Sequence, residues 1–238
     1  MLQKYYIYVT VILNIYYIFS NTIDILKKWY KILVCLFFKT LCMPSKRSKK
    51  GMKFIMRVIS GKARGTKLDT IESNQTRPTL DRVKESLFNI IQNKIDDSTV
   101  LDLFAGSGAI GIEFLSRSAK RVYFCDKSQD ACNIIKQNLQ KTKFTEYAIV
   151  KKMDYKKCLE SLNNQKFDII FLDPPYELDI SVNSVKIIKN LDLLNEDGII
   201  IIETDNITRE LEGLKSIEAN ILDTRKYGRV NLIFLNLS

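Results

Sequence analysis

Hydrophobic and polar positions follow two different periods in the part of the chain after residue 98. Short β-branched apolar runs, typical of buried strands, are separated by stretches with apolar residues at three- and four-residue steps, typical of helices. The predicted strands are residues 99–104, 121–126, 147–153, 167–173 and 198–204. The predicted helices between them are residues 109–117, 128–141, 155–163 and 181–191. This alternation predicts an α/β fold, with a mostly parallel sheet and helices on both of its faces.

Two further segments flank this alternating region. The apolar runs 216–223 and 229–237 follow each other with no helix between them, so we expect an antiparallel pair at one edge of the sheet. Before the first strand, an amphipathic helix is predicted, with Thr79 as its N-cap. Its apolar positions are Leu80, Val83, Leu87, Ile90, Ile91 and Ile95. The chain therefore divides into an extension (1–55), an arm with a helix (56–98) and the sheet domain (99–238).

The extension carries most of the charge of the chain. Ten of the 37 Lys and Arg residues and one of the 27 Asp and Glu residues precede Met56, which leaves 27 basic and 26 acidic residues in the body. The net charge of +10 therefore does not indicate nucleic-acid binding by the body. Within the body, however, four basic residues occur with no acid among them, and this local cluster is the better candidate for phosphate contacts. These residues are Arg57, Lys62, Arg64 and Lys67, and Arg77, Arg82 and Lys84 follow them in the same basic arm.

Three interpretations of residues 1–55 stay open. Their apolar stretches and the basic run 45–50 are compatible with a membrane anchor or an amphipathic membrane segment. Their shortage of acids is compatible with an organelle-targeting leader. Their composition, without Gly before Gly51, is also what translation from too early a Met would give, with Met52 or Met56 as the true start. We expect a cytoplasmic protein, and membrane contact or an organellar location only if the extension is translated.

The composition removes several kinds of catalysis. Histidine is absent, which excludes Ser-His-Asp and Cys-His nucleophiles and most metal sites. The five cysteines form no CxxC pair, so neither a zinc site nor a disulfide framework is indicated. Carboxylates, amides and a bound cofactor are left to perform the chemistry, and we expect no metal.

A glycine-rich turn, residues 102–111, follows the first predicted strand and opens the first helix. Gly106 and Gly108 let the backbone approach a ligand, with helix N–H groups directed at it. With Gly111 they form GxGxxG, and Asp126 follows about 20 residues later, so a nicotinamide or flavin enzyme is an alternative. Against it, an acid at position 102 would repel a pyrophosphate. The residues expected to bind the cofactor here are Asp102, Phe104, Ala105, Gly106, Ser107 and Gly108.

Acids end four neighbouring predicted strands, at the edge where ligands bind in such sheets. Together they fit S-adenosylmethionine. Asp102 would lie near the methionine end, Asp126 on the ribose hydroxyls with Lys127 beside it, Asp154 at the adenine amine and Asp173 toward the methyl acceptor. Asp154 taken alone could equally be an ordinary helix cap.

The segment Asp173-Pro174-Pro175-Tyr176 carries the most specific chemistry. It ends a buried strand in a loop that two prolines make rigid. There Asp173 and the Pro174 carbonyl can accept hydrogen bonds from an exocyclic NH2, while Tyr176 stacks on the base that carries it. These four residues are the predicted catalytic group, and the predicted reaction is methylation of a nucleobase amine.

Four segments together resemble one known family. Residues 56–68, the stretch 76–88 that opens with Thr-Arg-Pro-Thr, the glycine turn 102–108 and Asp173–Tyr176 are similar to the RsmD-type 16S rRNA (guanine-N2)-methyltransferases. The resemblance spans residues 56 to about 237. It implies a class I S-adenosylmethionine-dependent methyltransferase fold, Rossmann-like, acting on a guanine amine of ribosomal RNA within a small subunit or its assembly intermediate. It also implies that Arg64, Arg77 and Arg82 contact RNA or order the arm over the site.

Two other functions stay open at this point. The Asp-Pro-Pro-Tyr chemistry would serve adenine or cytosine amines in DNA, although the body lacks a large insertion for target recognition. The basic and apolar extension would also suit a membrane-tethered RNA-binding module without catalytic activity.

Overall fold

A computed structural model describes residues 56–70, 79–175 and 179–237 of the 238-residue chain. The interpretations of residues 1–55, and the roles predicted for Arg77 and Tyr176, lie outside the described residues. Within the described ranges, no helix combines the length and the apolar character that crossing a membrane requires.

Seven strands form one sheet in the order β3-β2-β1-β4-β5-β7-β6. Neighbouring strands are parallel from β3 to β5, while β7 runs antiparallel to both β5 and β6. The predicted parallel sheet with an antiparallel edge is confirmed. The strands are β1 (Thr99–Asp102), β2 (Arg121–Asp126), β3 (Ala148–Lys152), β4 (Phe167–Leu172), β5 (Leu194–Thr204), β6 (Asn220–Tyr227) and β7 (Val230–Asn236).

The helices are α1 (Thr79–Ile90), α2 (Ala109–Ser116), α3 (Gln129–Thr142), α4 (Tyr155–Ser161), α5 (Ile180–Asn190) and α6 (Ile207–Lys215). Helix α6 was not predicted, because its nine residues present only three large apolar side chains between strongly polar ones. The chain leaves α6 in a turn, so β6 begins at Asn220 and not at residue 216. Helix α1 begins at Thr79, and the capping role predicted for this side chain stays a prediction. Ile91 and Ile95 lie beyond the end of α1, and both are buried.

Alternation along the central strands separates two apolar layers. In β5, Ile199 and Ile201 pack with the arm and helices α1 to α3, while Ile200 and Ile202 pack with α4, α5 and α6. Because side chains in a strand alternate with a period of two, a residue two positions after a member of the first layer returns to the same face. Asp102 follows Val100, Asp173 follows Phe171, and Glu203 follows Ile201 in this way. The side chains of these three acidic residues therefore lie on the face of the sheet that the arm covers.

Candidate active site

The glycine turn between β1 and α2 has the conformation that the sequence predicts. Gly106 and Gly108 both have positive φ values, of 53° and 78°. A Cβ atom at Gly106 would meet no heavy atom within 4 Å, so this residue borders open space. Its N–H donates to Asp126 Oδ2 at 2.9 Å, which holds the turn against the end of β2. The turn is thus a fixed backbone cradle at the edge of the sheet.

Two cavities meet above the carboxyl ends of the parallel strands. The first, of about 170 Å³, lies between the arm, α1 and the ends of β1, β4 and β5. The second, of about 260 Å³, lies at the ends of β2 and β3 and is lined by Asp126, Lys127 and Asp154. Phe104 and Asp173 line both cavities. An elongated ligand could therefore lie across both, with its middle at these two residues.

Asp102 borders the first cavity from below. It is 2% exposed, and its Oδ2 accepts a hydrogen bond from the Gly111 N–H at 3.1 Å. Burial, reinforced by the negative charges of Asp173 and Asp126, raises the pKa of the Asp102 carboxyl to about 7. A cationic ligand group in this cavity would favour the charged carboxylate. Asp102 is therefore suited to the position beside an ammonium that the sequence predicts for it.

Asp126 and Asp154 have structural roles as well as exposure to the second cavity. Asp126 Oδ1 accepts from the Ser128 N–H at 2.8 Å, in addition to the Gly106 contact. Asp154 is the N-cap of α4 and accepts from the Lys156 N–H at 3.0 Å. The cap interpretation of Asp154 is thus correct. Because each carboxylate has about four acceptor sites, both can still accept from a ligand.

Asp173 lines both cavities, Pro175 lines the second, and Pro174 lies between them in the chain. The Asp173 residue is solvent-exposed on its open side, yet the surrounding cavity walls remove water from its carboxyl and raise the pKa to about 6. The open side keeps the group able to ionise at neutral pH. Asp173 can therefore accept hydrogen bonds from an amine, as predicted.

The sequence reasoning missed two side chains of the site. Tyr155, the first residue of α4, forms with Phe104 an aromatic wall of the second cavity, with ring centroids 5.7 Å apart. Glu203, near the end of β5, lines the first cavity beside Asp173. The signal that identified the other acids, a carboxylate closing a strand, would also have identified Glu203.

The arm, residues 56–70, borders the first cavity at Met56 and is anchored to α2 and α3. Its ends pair through an antiparallel bridge between Arg57 and Lys67, and Val58 and Leu68 are buried. Glu113 of α2, with no exposed surface, accepts from the Ile59 and Ser60 N–H groups at 2.8 and 2.9 Å. Further along the arm, Asn138 of α3 exchanges two hydrogen bonds with Asp69. The same Asn138 amide donates to the Ser107 carbonyl of the glycine turn, so the arm and the turn share one anchor.

A buried ion cluster fixes α1 to the same anchor. Lys84 Nζ lies 3.0 Å from Glu113 Oε2, and Arg117 Nε lies 3.0 Å from Glu113 Oε1. Lys84 also donates to the Arg57 carbonyl at 3.0 Å. Burial lowers the pKa of Lys84 despite the neighbouring carboxylate. Lys84 was predicted among the basic residues that contact phosphate, and this is wrong, because its side chain is buried and paired with Glu113, an acid 29 positions away.

The predicted RNA-contacting arginines that the structure describes lie on exposed surface. Arg64 is in the turn of the arm, and Arg82 is on α1, the helix that borders the first cavity. Their contact with RNA stays a prediction. Within the described ranges, no group of three or more Cys, Asp or Glu side chains is arranged to hold a metal ion.

The turn of the arm allows a matched test of its docking. Gly61 and Gly65 have nearly the same positive φ, 80° and 83°, so an alanine is equally strained at either. A Cβ at Gly61 would lie 1.9 Å from the Ser116 carbonyl oxygen, whereas a Cβ at Gly65 would meet nothing within 4 Å. We expect Gly65→Ala to lower the free energy of unfolding by about 1 kcal/mol and Gly61→Ala by at least about twice that. Urea denaturation measures both, and equal losses would show that the arm is not docked on α2.

The strand order, the glycine turn after β1 and the acid-lined crevice together define a class I, Rossmann-like methyltransferase. A solved structure of a Haemophilus influenzae protein is 34% identical, with a TM-score of 0.62, and the match covers 77% of this chain and 99% of that one. The family model described as "Conserved hypothetical protein 95" matches residues 56–236. The chain therefore belongs to this family, the RsmD-type family that its motifs predicted.

Two relatives illustrate the similarity. The Bacillus subtilis protein named "Putative rRNA methyltransferase YlbH" is 40% identical over 173 residues, which are 72% of this chain and 92% of that protein. The Haemophilus influenzae "Ribosomal RNA small subunit methyltransferase D" is 40% identical over 152 residues, 63% of this chain and 79% of that protein. Both matches span the greater part of the relative.

Proposed function

We propose that the protein transfers a methyl group from S-adenosylmethionine to the exocyclic amine of a guanine in small-subunit ribosomal RNA. The observation that carries the proposal is the position of Asp173, which lines both cavities where they meet. Relatives at 40% identity are named as ribosomal RNA methyltransferases, and this supports the choice of RNA. The free RNA or a small-subunit assembly is the proposed partner, and the cytoplasm, where subunits assemble, is the proposed location.

The residues around the two cavities fit the methyl donor. The open space at Gly106 admits a ligand against the backbone, and the donor set is acidic, which suits an ammonium, ribose hydroxyls and an adenine amine. Asp102 would hold the amino-acid end and Asp126 the ribose. Asp154 would accept from the adenine amine, with Tyr155 and Phe104 against the base. When bound, S-adenosylmethionine supplies an electrophilic methyl group.

The chain's own groups prepare the acceptor. The lone pair of a guanine amine is delocalised into the ring, so its nitrogen is a weak nucleophile. Hydrogen bonds from the amine to Asp173 and to the Pro174 carbonyl favour the tetrahedral, partly positive nitrogen of the transition state, so they lower the barrier to reaction. Afterwards the extra amine proton passes to Asp173 or to water. We assign these steps to residues 99–238, and RNA positioning to the arm and α1 with Arg64, Arg77 and Arg82.

Methyl transfer can be tested with the full-length chain and S-adenosylmethionine labelled in its methyl group. Three acceptors are compared: small ribosomal subunits, the ribosomal RNA extracted from them, and DNA. We expect the label to enter RNA, and digestion to nucleosides to recover it as a guanosine methylated on its amine. Label confined to DNA, or recovered in adenosine or cytidine, would contradict the proposal.

A further inference from the structure

Asp173 and Glu203 follow matched positions on two adjacent strands, and Asp102 lies on the third strand, level with Phe171, two residues before Asp173. Asp102 of β1 pairs in register with Phe171 of β4, and Leu172 of β4 pairs with Ile202 of β5. Asp173 and Glu203 are the next residues along the paired strands, and neighbouring strands lie about 4.8 Å apart. All three side chains line the first cavity. Because the glycine turn follows β1, Glu203 is the acid on the far side of Asp173 from the cofactor cradle.

Glu203 has no structural role that would account for a carboxylate at this place. The described residues provide its side chain with no hydrogen-bond donor and no ion-pair partner, although the residue is half-buried. By contrast, Glu113 beneath the arm is fully paired. A half-buried carboxylate directed into a cavity without a protein donor is suited to accept from a ligand.

The three amine-bearing bases differ in what lies beside the amine. Guanine presents its amino group next to a ring N1–H, so two donors lie side by side between the acceptors O6 and N3. Adenine and cytosine present their amino group next to a ring nitrogen that accepts. An ionised carboxylate is an acceptor and never a donor, so two neighbouring carboxylates match the two donors of guanine. With adenine or cytosine, one carboxylate would face the ring nitrogen, and two acceptors would oppose each other.

We propose that Glu203 determines the base specificity, by accepting a hydrogen bond from the guanine N1–H while Asp173 holds the amine that is methylated. This inference rests on the proposed methyltransferase function. It adds a residue that selects the base to the residues that hold the amine and the cofactor.

The charge state of Glu203 makes the proposal measurable. Burial is the main cause that raises the pKa of Glu203 to about 8, and the negative charge of Asp173 is the second cause. The other charged groups that line the cavity are Asp81 and Lys84 of α1 and Asp102 of β1, and Lys84 is already paired with Glu113. A protonated Glu203 would direct a donor at the N1–H. The ionised fraction rises with pH below about 8, so kcat/KM should rise with it and level off above that value.

The test compares full-length wild type, Glu203→Gln and the control Glu212→Gln, which changes an exposed residue on α6. We measure kcat/KM for methyl transfer to small subunits or their RNA between pH 7 and 8.5, and cofactor affinity by calorimetry. For Glu203→Gln we expect kcat/KM about tenfold lower at pH 8.5, no rise above pH 7, and cofactor affinity changed by less than about threefold. The control should behave as wild type.

Two outcomes would overturn the proposal in distinguishable ways. If wild type methylates RNA and Glu203→Gln keeps both its kcat/KM and its rise with pH, the base-selecting role is wrong while the proposed function stands. If wild type transfers no methyl group to RNA, the proposed function fails, and the role of Glu203 fails with it.

Discussion

Replacing Asp173 with Asn should lower kcat for methyl transfer about a thousandfold, within the range seen when one preorganised hydrogen-bonding group is removed from an active site. The substitution keeps the size of the side chain but replaces an ionised acceptor with an amide. The amide oxygen can still accept one hydrogen bond from the amine, but it carries no negative charge to stabilise the partly positive nitrogen and cannot take up its proton. Single-turnover rates with saturating S-adenosylmethionine measure the loss without a contribution from product release.

The cofactor should still bind to the Asp173→Asn variant, with an affinity changed by less than about fivefold, because Asp102, Asp126 and the glycine turn are unaltered. Asp96→Asn, an exposed change in the segment before β1, is the matched control and should leave the rate unchanged. A variant that keeps more than a tenth of the wild-type rate would contradict the assignment of Asp173 to the acceptor amine.

The sheet was predictable because its strands are short apolar runs that end in acids or glycines. The run that becomes β4 has five large apolar residues out of six, as expected for a strand covered on both faces. The acids at strand ends were predictable for a related reason, since parallel strands deliver their carboxyl ends to one edge. Asp102, Asp126, Asp154 and Asp173 all line the paired cavities as expected.

The side chains that were missed depend on contacts between distant parts of the chain. Glu113 lies in an apolar helix, where the sequence offers only Arg117, four residues on, as a partner, and its contacts with Ile59 and Ser60 span more than 50 residues. Lys84 looks like an ordinary solvent-facing lysine on α1 until the fold brings α2 against it. Helix α6 was missed for a different reason, because it is short and mostly polar, although Ile207, Leu211 and Leu214 follow a helical spacing and Asn206 caps it through the Arg209 N–H.

The arm is held over the first cavity by a charge that lies outside that cavity. Glu113 joins the arm backbone, Lys84 of α1 and Arg117 after α2 in one buried cluster, and both the arm and α1 line the cavity. Loss of this carboxylate would therefore loosen the arm and α1 where they border the first cavity. Glu113 therefore contributes both to the stability of the fold and to the shape of the site.

Glu113→Ala should lower the free energy of unfolding by about 3 to 5 kcal/mol, because it leaves the buried Lys84 cation uncompensated and two arm N–H groups without an acceptor. The expected fall in Tm is on the order of 10 °C, since each kcal/mol corresponds to about 2 to 4 °C in a domain of this size. Urea and thermal unfolding measure the loss. Glu146→Ala, at an exposed glutamate before β3, is the control and should cost less than about 0.5 kcal/mol.

The double variant Glu113→Leu with Lys84→Met distinguishes a buried charge cluster from simple loss of contacts. In the double variant no lysine charge is left buried without a partner. Its loss of unfolding free energy should therefore be about 1 to 3 kcal/mol smaller than the sum of the losses of the two single variants. Strictly additive losses would mean that Lys84 and Glu113 do not interact in the folded protein. A cost below about 1 kcal/mol for Glu113→Ala would mean that the arm is held mainly by its apolar contacts at Val58 and Leu68.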